Sequence, residues 1–168
     1  KYQESTTLGQ WQSTSGLDYS TLEVYLNGGL LSSDKYTVNQ ETGLLTINEV
    51  ESLVAGTTVR VVILDQFTNK LDRTSTLRSL TIKSGEDGEV QETHLFWDRE
   101  AITGLELPEP NERAGHHFVG WDKDIPSVMP NGDVVITAQY EPNLHNVIIN
   151  DANGVPVEFY ENVPFGST

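Results

Sequence analysis

Alternation is the feature that most limits what this chain can become. Leu22, Val24 and Leu26 alternate with Glu23, Tyr25 and Asn27, the period of two that sets one face of a strand in a core and the other in water. Asn27-Gly28-Gly29 follows at once. Asn and Gly tolerate positive φ better than other residues, so a tight hairpin turn is expected there. Residues 35–39 and 43–48 read as a second pair of short strands around Gln40-Glu41-Thr42-Gly43. After residues 51–56, which end in Gly56, residues 57–67 form a longer strand with Val59, Val61 and Ile63 on one face. Strands joined by Gly and Asn turns make residues 1–67 an all-β unit of about five or six strands.

From residue 68 to 79 the alternation is lost and the chain turns polar and basic (TNKLDRTSTLRS), which reads as a linker, with a short helix as the alternative. Beyond it, "LTIKSGEDGEV" is strand, acidic turn and returning strand, and "HHFVGW" and "DVVITAQYEP" are strands around a turn at Pro130-Asn131-Gly132-Asp133. Residues 98–115 alone have mild helical character, and Pro108 and Pro110 end any helix there. The chain then repeats itself. Residues 81–92 align without gaps on residues 147–158, pairing Ile82 with Ile148 and Gly88 with Gly154. A repeat of that length implies tandem domains, not the coils of a solenoid. The expected fold class is mainly β, in tandem small β-domains: 1–67, the linker 68–79, 80–143, and a truncated partial copy over 144–168.

Composition excludes several functions. Ten Lys+Arg stand against 25 Asp+Glu, a net charge of −15, so the cationic footprint that nucleic acid or an anionic membrane surface demands is missing. No stretch approaches the roughly 18 apolar residues of a membrane-spanning helix. The absence of cysteine removes thiol catalysis, thiolate metal sites and disulfides together. The first residues carry no apolar core of a signal peptide, and both ends read as cuts in a longer chain.

His116 and His117 are the first candidates for chemistry. Neighbours on a strand point to opposite faces, so the two do not converge on one metal, although either could join Asp122 or Asp124. A packed or surface pair is the plainer expectation. The turns Gly85–Glu89 and Asn150–Gly154 are acidic but lack the alternating ligands and terminal bidentate Glu of a calcium loop. No Gly-x-Ser-x-Gly elbow and no phosphate-binding glycine loop occurs. Trp121, after Phe118 and Gly120, is expected to anchor a seam, with sugar stacking as the alternative. Strict alternation places Phe118 and Trp121 on opposite faces, with Pro110 or Ile125 as neighbours of the Trp. No catalytic residue, cofactor or metal is therefore expected.

Two resemblances cover most of the chain. Residues 80–143, and again 145–168, resemble the Listeria–Bacteroides repeat of the internalin B-repeat group, whose pattern is matched by Pro110, Gly115, Phe118, Gly120, Trp121, Thr137, Ala138 and Tyr140. His116 stands where an aromatic residue is usual. The aromatic-Gly-Ser element is absent at Trp97-Asp98-Arg99 but fits Phe165-Gly166-Ser167. Residues 1–67 are similar to small β-domains of bacteriophage tail-fibre and baseplate proteins, through Val24, Asn27, Gly28, Leu31, Asp34, Tyr36, Thr37, Val38, Gly43, Ala55, Gly56, Val59 and Val61, with Lys35 inserted in the usual Asp-Tyr spacing. These resemblances imply a β-sandwich-like unit followed by β-grasp-like repeats. They imply a non-enzymatic virion protein, a tail fibre, baseplate or head fibre. Its expected partners are other virion proteins, itself (a trimer by analogy with fibres) and a bacterial surface receptor or glycan. A secreted or cell-surface adhesin of tandem repeats is the alternative.

Overall fold

The computed structural model describes residues 2–4, 10–13, 19–39, 41–48, 53–64 and 69–168. It is 55% strand and 6% helix, and among the described residues the helical turns are single 3-10 turns of three residues, so the chain is mainly β. Two compact units are interleaved along the sequence. One comprises residues 1–80, 93–105 and 125–134, the other residues 81–92, 106–124 and 135–168.

In the first unit, β1 (Tyr2–Glu4), β2 (Gln10–Ser13), β5 (Tyr36–Val38) and β6 (Leu44–Ile47) form a sheet ordered β1-β2-β6-β5. β3 (Leu22–Leu26) pairs with β4 (Gly29–Leu30) and with β7 (Thr58–Leu64). The expected hairpin turn is present, with Asn27 at φ 50° and Gly28 at φ 81°. Asn27 Oδ1 also accepts a 2.9 Å hydrogen bond from Thr58 N, so the turn residue ties its hairpin to the start of β7. Gly56, at φ 90°, makes the turn before that strand. Gln40, in the turn between β5 and β6, lies outside the described residues. Alternation is obeyed: Val24, Val59, Val61 and Ile63 join Leu45, Ile47, Leu53, Leu77 and Trp97 in one buried cluster. Val62, on the opposite face of β7, is buried as well, so that strand is covered on both sides.

The linker expectation is corrected. Residues 69–79 belong to β8 (Asn69–Ser84), which pairs antiparallel with β7 and places Val61 opposite Arg73. Its polar residues stand in strand geometry because they find partners there: the Arg60 guanidinium meets the Asp72 carboxylate at 2.6 Å, and Ser75 is buried beside Leu77. Buried positions are odd-numbered up to Leu77 and even-numbered from Leu80, through Ile82 to Ser84. A strand that changes its buried face has no single alternation to read. The helical character expected over 98–115 is also corrected: Ala101 forms an isolated bridge with Val128, Ile102 N donates to Ser127 O at 2.9 Å, and no helix forms. Residues 93–105 and 125–134 group with the first unit, so a unit bounded at 80 and 143 is not what the chain builds.

In the second unit, residues 81–84 of β8 continue to β9 (Glu89–Trp97) through a turn with Gly88 at φ 65°. β10 (His116–Trp121) pairs with β11 (Val134–Pro142), and β11 and β9 both pair with β8. β12 (Leu144–Asn150) and β13 (Pro156–Pro164) form a two-stranded sheet of their own.

Candidate functional site

The motif residues of the second unit meet because of one irregularity. In the β10–β11 pairing Phe118 lies opposite Tyr140 and Gly120 opposite Gln139, leaving Val119 as an extra residue: a β-bulge. Gly120 takes φ 149°, in the range that favours glycine. The added residue shifts the alternation by one, so Phe118 and Trp121 share a face, their ring centroids 5.5 Å apart and edge-to-face. The expectation that they point to opposite faces is thereby corrected. Phe118 meets Tyr140 in the same manner at 6.0 Å, giving three aromatic rings in sequence. Trp121 is half-buried and lies opposite the buried Ala138. It is no deep anchor. Among the described residues the fully buried tryptophan is Trp97 of the first unit.

Tyr140 fixes the wall that faces these rings. Its hydroxyl donates to Asn111 O at 2.5 Å and accepts from Gly85 N at 2.9 Å. Asn111 N in turn donates to Ser84 Oγ at 2.9 Å, and the Glu86 carboxylate accepts from Ala114 N at 2.7 Å. A loop containing Pro110 would otherwise be free to sample many states. Three of these bonds instead hold it beside the sheet. Between the loop and the aromatic pair lies a cleft of about 380 Å³ lined by Pro110, Asn111, Arg113, His116, Phe118 and Tyr140. Glu112 and the backbone of Ala114 and Gly115 complete it. The Arg113 guanidinium stands 6.0 Å from the centre of the Tyr140 ring, a cation–π contact. At one end the Phe165 ring covers Gly115 so closely that a Cβ there would overlap it.

The two histidines engage different partners, as neighbours on a strand must. His116 Nδ1 lies 2.8 Å from Ala114 O, and His117 Nδ1 lies 3.0 Å from Asn143 Oδ1. Asp122 accepts from Thr137 N at 2.7 Å. Among the described residues no three His, Asp or Glu side chains are grouped to hold a metal ion. The second acidic turn is occupied by its own backbone. Asp151 Oδ1 accepts from Asn153 N and Val155 N at 2.8 and 2.9 Å. The Val155 bond first, then that from Asn153, holds this carboxyl below the usual aspartate range.

Of the residues singled out in the sequence, Pro110, Phe118 and Tyr140 line the cleft, Gly120 supplies the bulge, and Trp121 and Ala138 flank it. Asn27, Gly28 and Gly56 are turn residues of the first unit. Missed were Asn111 and Arg113, while His116, weighed as half of a histidine pair, lines the cleft. Arg113 carried a readable signal, as the one cation between Arg99 and Lys123 in an acidic chain. Comparison with protein-family models, with curated proteins and with solved structures returns no match.

Proposed function

We propose that this chain is a non-enzymatic structural protein of a bacteriophage particle, a run of small β-modules in a tail fibre, baseplate or head fibre that serves display or host attachment. The first unit is then a sandwich-like module, its buried cluster drawing Leu45 and Ile47 from one sheet and Val24 and Val61 from another. The carrying observation is the duplicated hairpin. β9 and β13 are each nine residues long, and their turns hold Gly88 at φ 65° and Gly154 at φ 82°. In both, the residue after the second strand closes the hairpin with a backbone bond, Asp98 N to Thr76 O at 2.9 Å and Phe165 N to Asn143 O at 2.8 Å.

A β-grasp-like repeat is supported further by strand order. Ser79 N meets Asp133 Oδ1 and Gly85 N meets the Tyr140 hydroxyl, so numbering rises together along β8 and β11 and the two run in the same direction. Duplication of a small β-module lengthens a chain while keeping each module's packing local, which suits a spacer or display element. The same duplication favours a second reading, a bacterial surface adhesin of tandem repeats. Antibodies raised against the chain separate the two by immuno-electron microscopy of phage particles and of bacterial cells from the same source. Label on a particle appendage is expected. Label confined to the cell envelope overturns the virion assignment in favour of the adhesin.

A further inference from the structure

We infer that the cleft between the Pro110–Gly115 loop and the Phe118–Tyr140 pair is a subsite for one sugar ring of an uncharged glycan. This deepens the attachment function proposed above, which it presupposes, by naming what the module holds. The cleft, about 380 Å³, lies at the small end of the roughly 300–1,000 Å³ typical of small-molecule sites. It admits a ring-sized ligand. Its floor is aromatic, and the apolar C–H face of a pyranose packs on such rings as other apolar groups do.

The polar rim decides between ligand classes. Arg113 Nε is buried with no hydrogen-bond partner, and among the described residues no carboxylate pairs with this guanidinium. A buried donor left without an acceptor is uncommon in folded proteins. Asn111, Glu112 and His116 line the same cleft. His116 Nδ1 faces a carbonyl and so carries the proton in the neutral ring, which leaves Nε2 as an acceptor. The rim thus offers donors (Arg113, Asn111) and acceptors (Glu112, His116 Nε2) together. A sugar hydroxyl both donates and accepts, and so matches such a rim. A phosphate or carboxylate only accepts: it would engage Arg113 but offer no donor to Glu112, whose carboxylate repels it. The field of the whole chain points the same way, since the cleft's one arginine belongs to a protein of net charge −15 and acidic ligands are repelled before they arrive.

The test uses the intact chain on immobilised oligomers of glucose, galactose, mannose and N-acetylglucosamine, with hyaluronate and polygalacturonate as charged counterparts. At least one neutral oligomer should be retained, with little dependence on salt. Arg113→Gln and Phe118→Ala should each weaken retention by about tenfold or more. Should either variant unfold, the amide signals of His116 and Tyr140 in the unaltered protein should shift on adding the retained sugar. Preference for the acidic polymers, retention indifferent to both substitutions, or no retention of any neutral oligomer by folded protein overturns the assignment. None of these results alters where the antibodies label, so the subsite and the virion assignment fail separately.

Discussion

The hairpins β8–β9 and β12–β13 follow one pattern and meet different fates. Ile82 and Ile148 are aligned residues of the two, and the first is fully buried while the second is 56% exposed. Leu144, Val157 and Phe159 are also exposed, on both strands of the second hairpin. The difference lies outside the hairpins. β11 pairs alongside β8, β10 follows it, and the Tyr140-anchored loop closes the unit; β12 pairs with β13 alone. Local sequence therefore dictates the turn and the strand lengths, and neighbouring strands decide what the strands are worth in stability. An isolated two-stranded hairpin is marginal in water, so the second hairpin's backbone geometry outlasts the burial that normally supports it.

Four measurements sharpen or break this contrast, taken from the largest expected effect. Trp97 ends β9 inside the buried cluster, so Trp97→Ala should destabilise the protein by about 3–5 kcal/mol in urea unfolding. Ile82→Ala should cost about 2–5 kcal/mol, while the aligned Ile148→Ala stays within about 0.5 kcal/mol. Equal losses at the two isoleucines would show the second hairpin to be covered after all. Tyr140→Phe removes the hydroxyl that bridges Asn111 O and Gly85 N and should cost about 1–3 kcal/mol. Its amide-exchange signature is confined to the loop and the Gly85 turn, with the β12–β13 amides unchanged.

The smallest effect belongs to pH. Asp151 titrates below its ordinary value because Val155 N and Asn153 N donate to it, whereas unfolded aspartate titrates near about 3.9. A depressed folded pKa gives stability that is present above the unfolded value and lost as pH falls through the folded one. The β12–β13 turn should therefore loosen below about pH 4, seen as faster exchange at Asn153 and Val155. Asp151→Asn should remove that dependence, and an unchanged pH response in this variant would assign it to another group.

Much of the fold was legible and the failures have physical causes. Alternation found β3 and β7 because each has one consistently apolar face, and the Asn27-Gly28 turn was readable because few other residues accept its φ angles. β8 was lost for the reason that its buried parity changes between Leu77 and Leu80, and its Ser and Thr are as much at home in strands as in loops. The aromatic and glycine positions of the cleft could be picked out singly. Their meeting could not, because a bulge of one residue reverses every facing downstream of it. Arg113 and Asn111 lie on a loop with no periodicity to mark them. Tyr140 was readable as a strand residue, yet only its hydroxyl's two distant partners reveal that it holds the loop.

The naked second hairpin also has a consequence for the protein as a colloid. Leu144–Asn150 contains no Asp, Glu, Lys or Arg, and among the described residues no further strand pairs with either edge of its two-stranded sheet. An uncharged, β-prone strand with a free edge invites pairing with its own kind in another molecule. Mutual repulsion between molecules of charge −15 is what keeps such edges apart in dilute buffer. That protection has a range of ~10 Å at 0.1 M salt and ~3 Å at 1 M. Concentrated solutions should accordingly stay clear at low ionic strength and scatter light as salt is raised, the reverse of salting-in. A lysine in place of Ile148 should suppress the scattering without altering the stability of either unit.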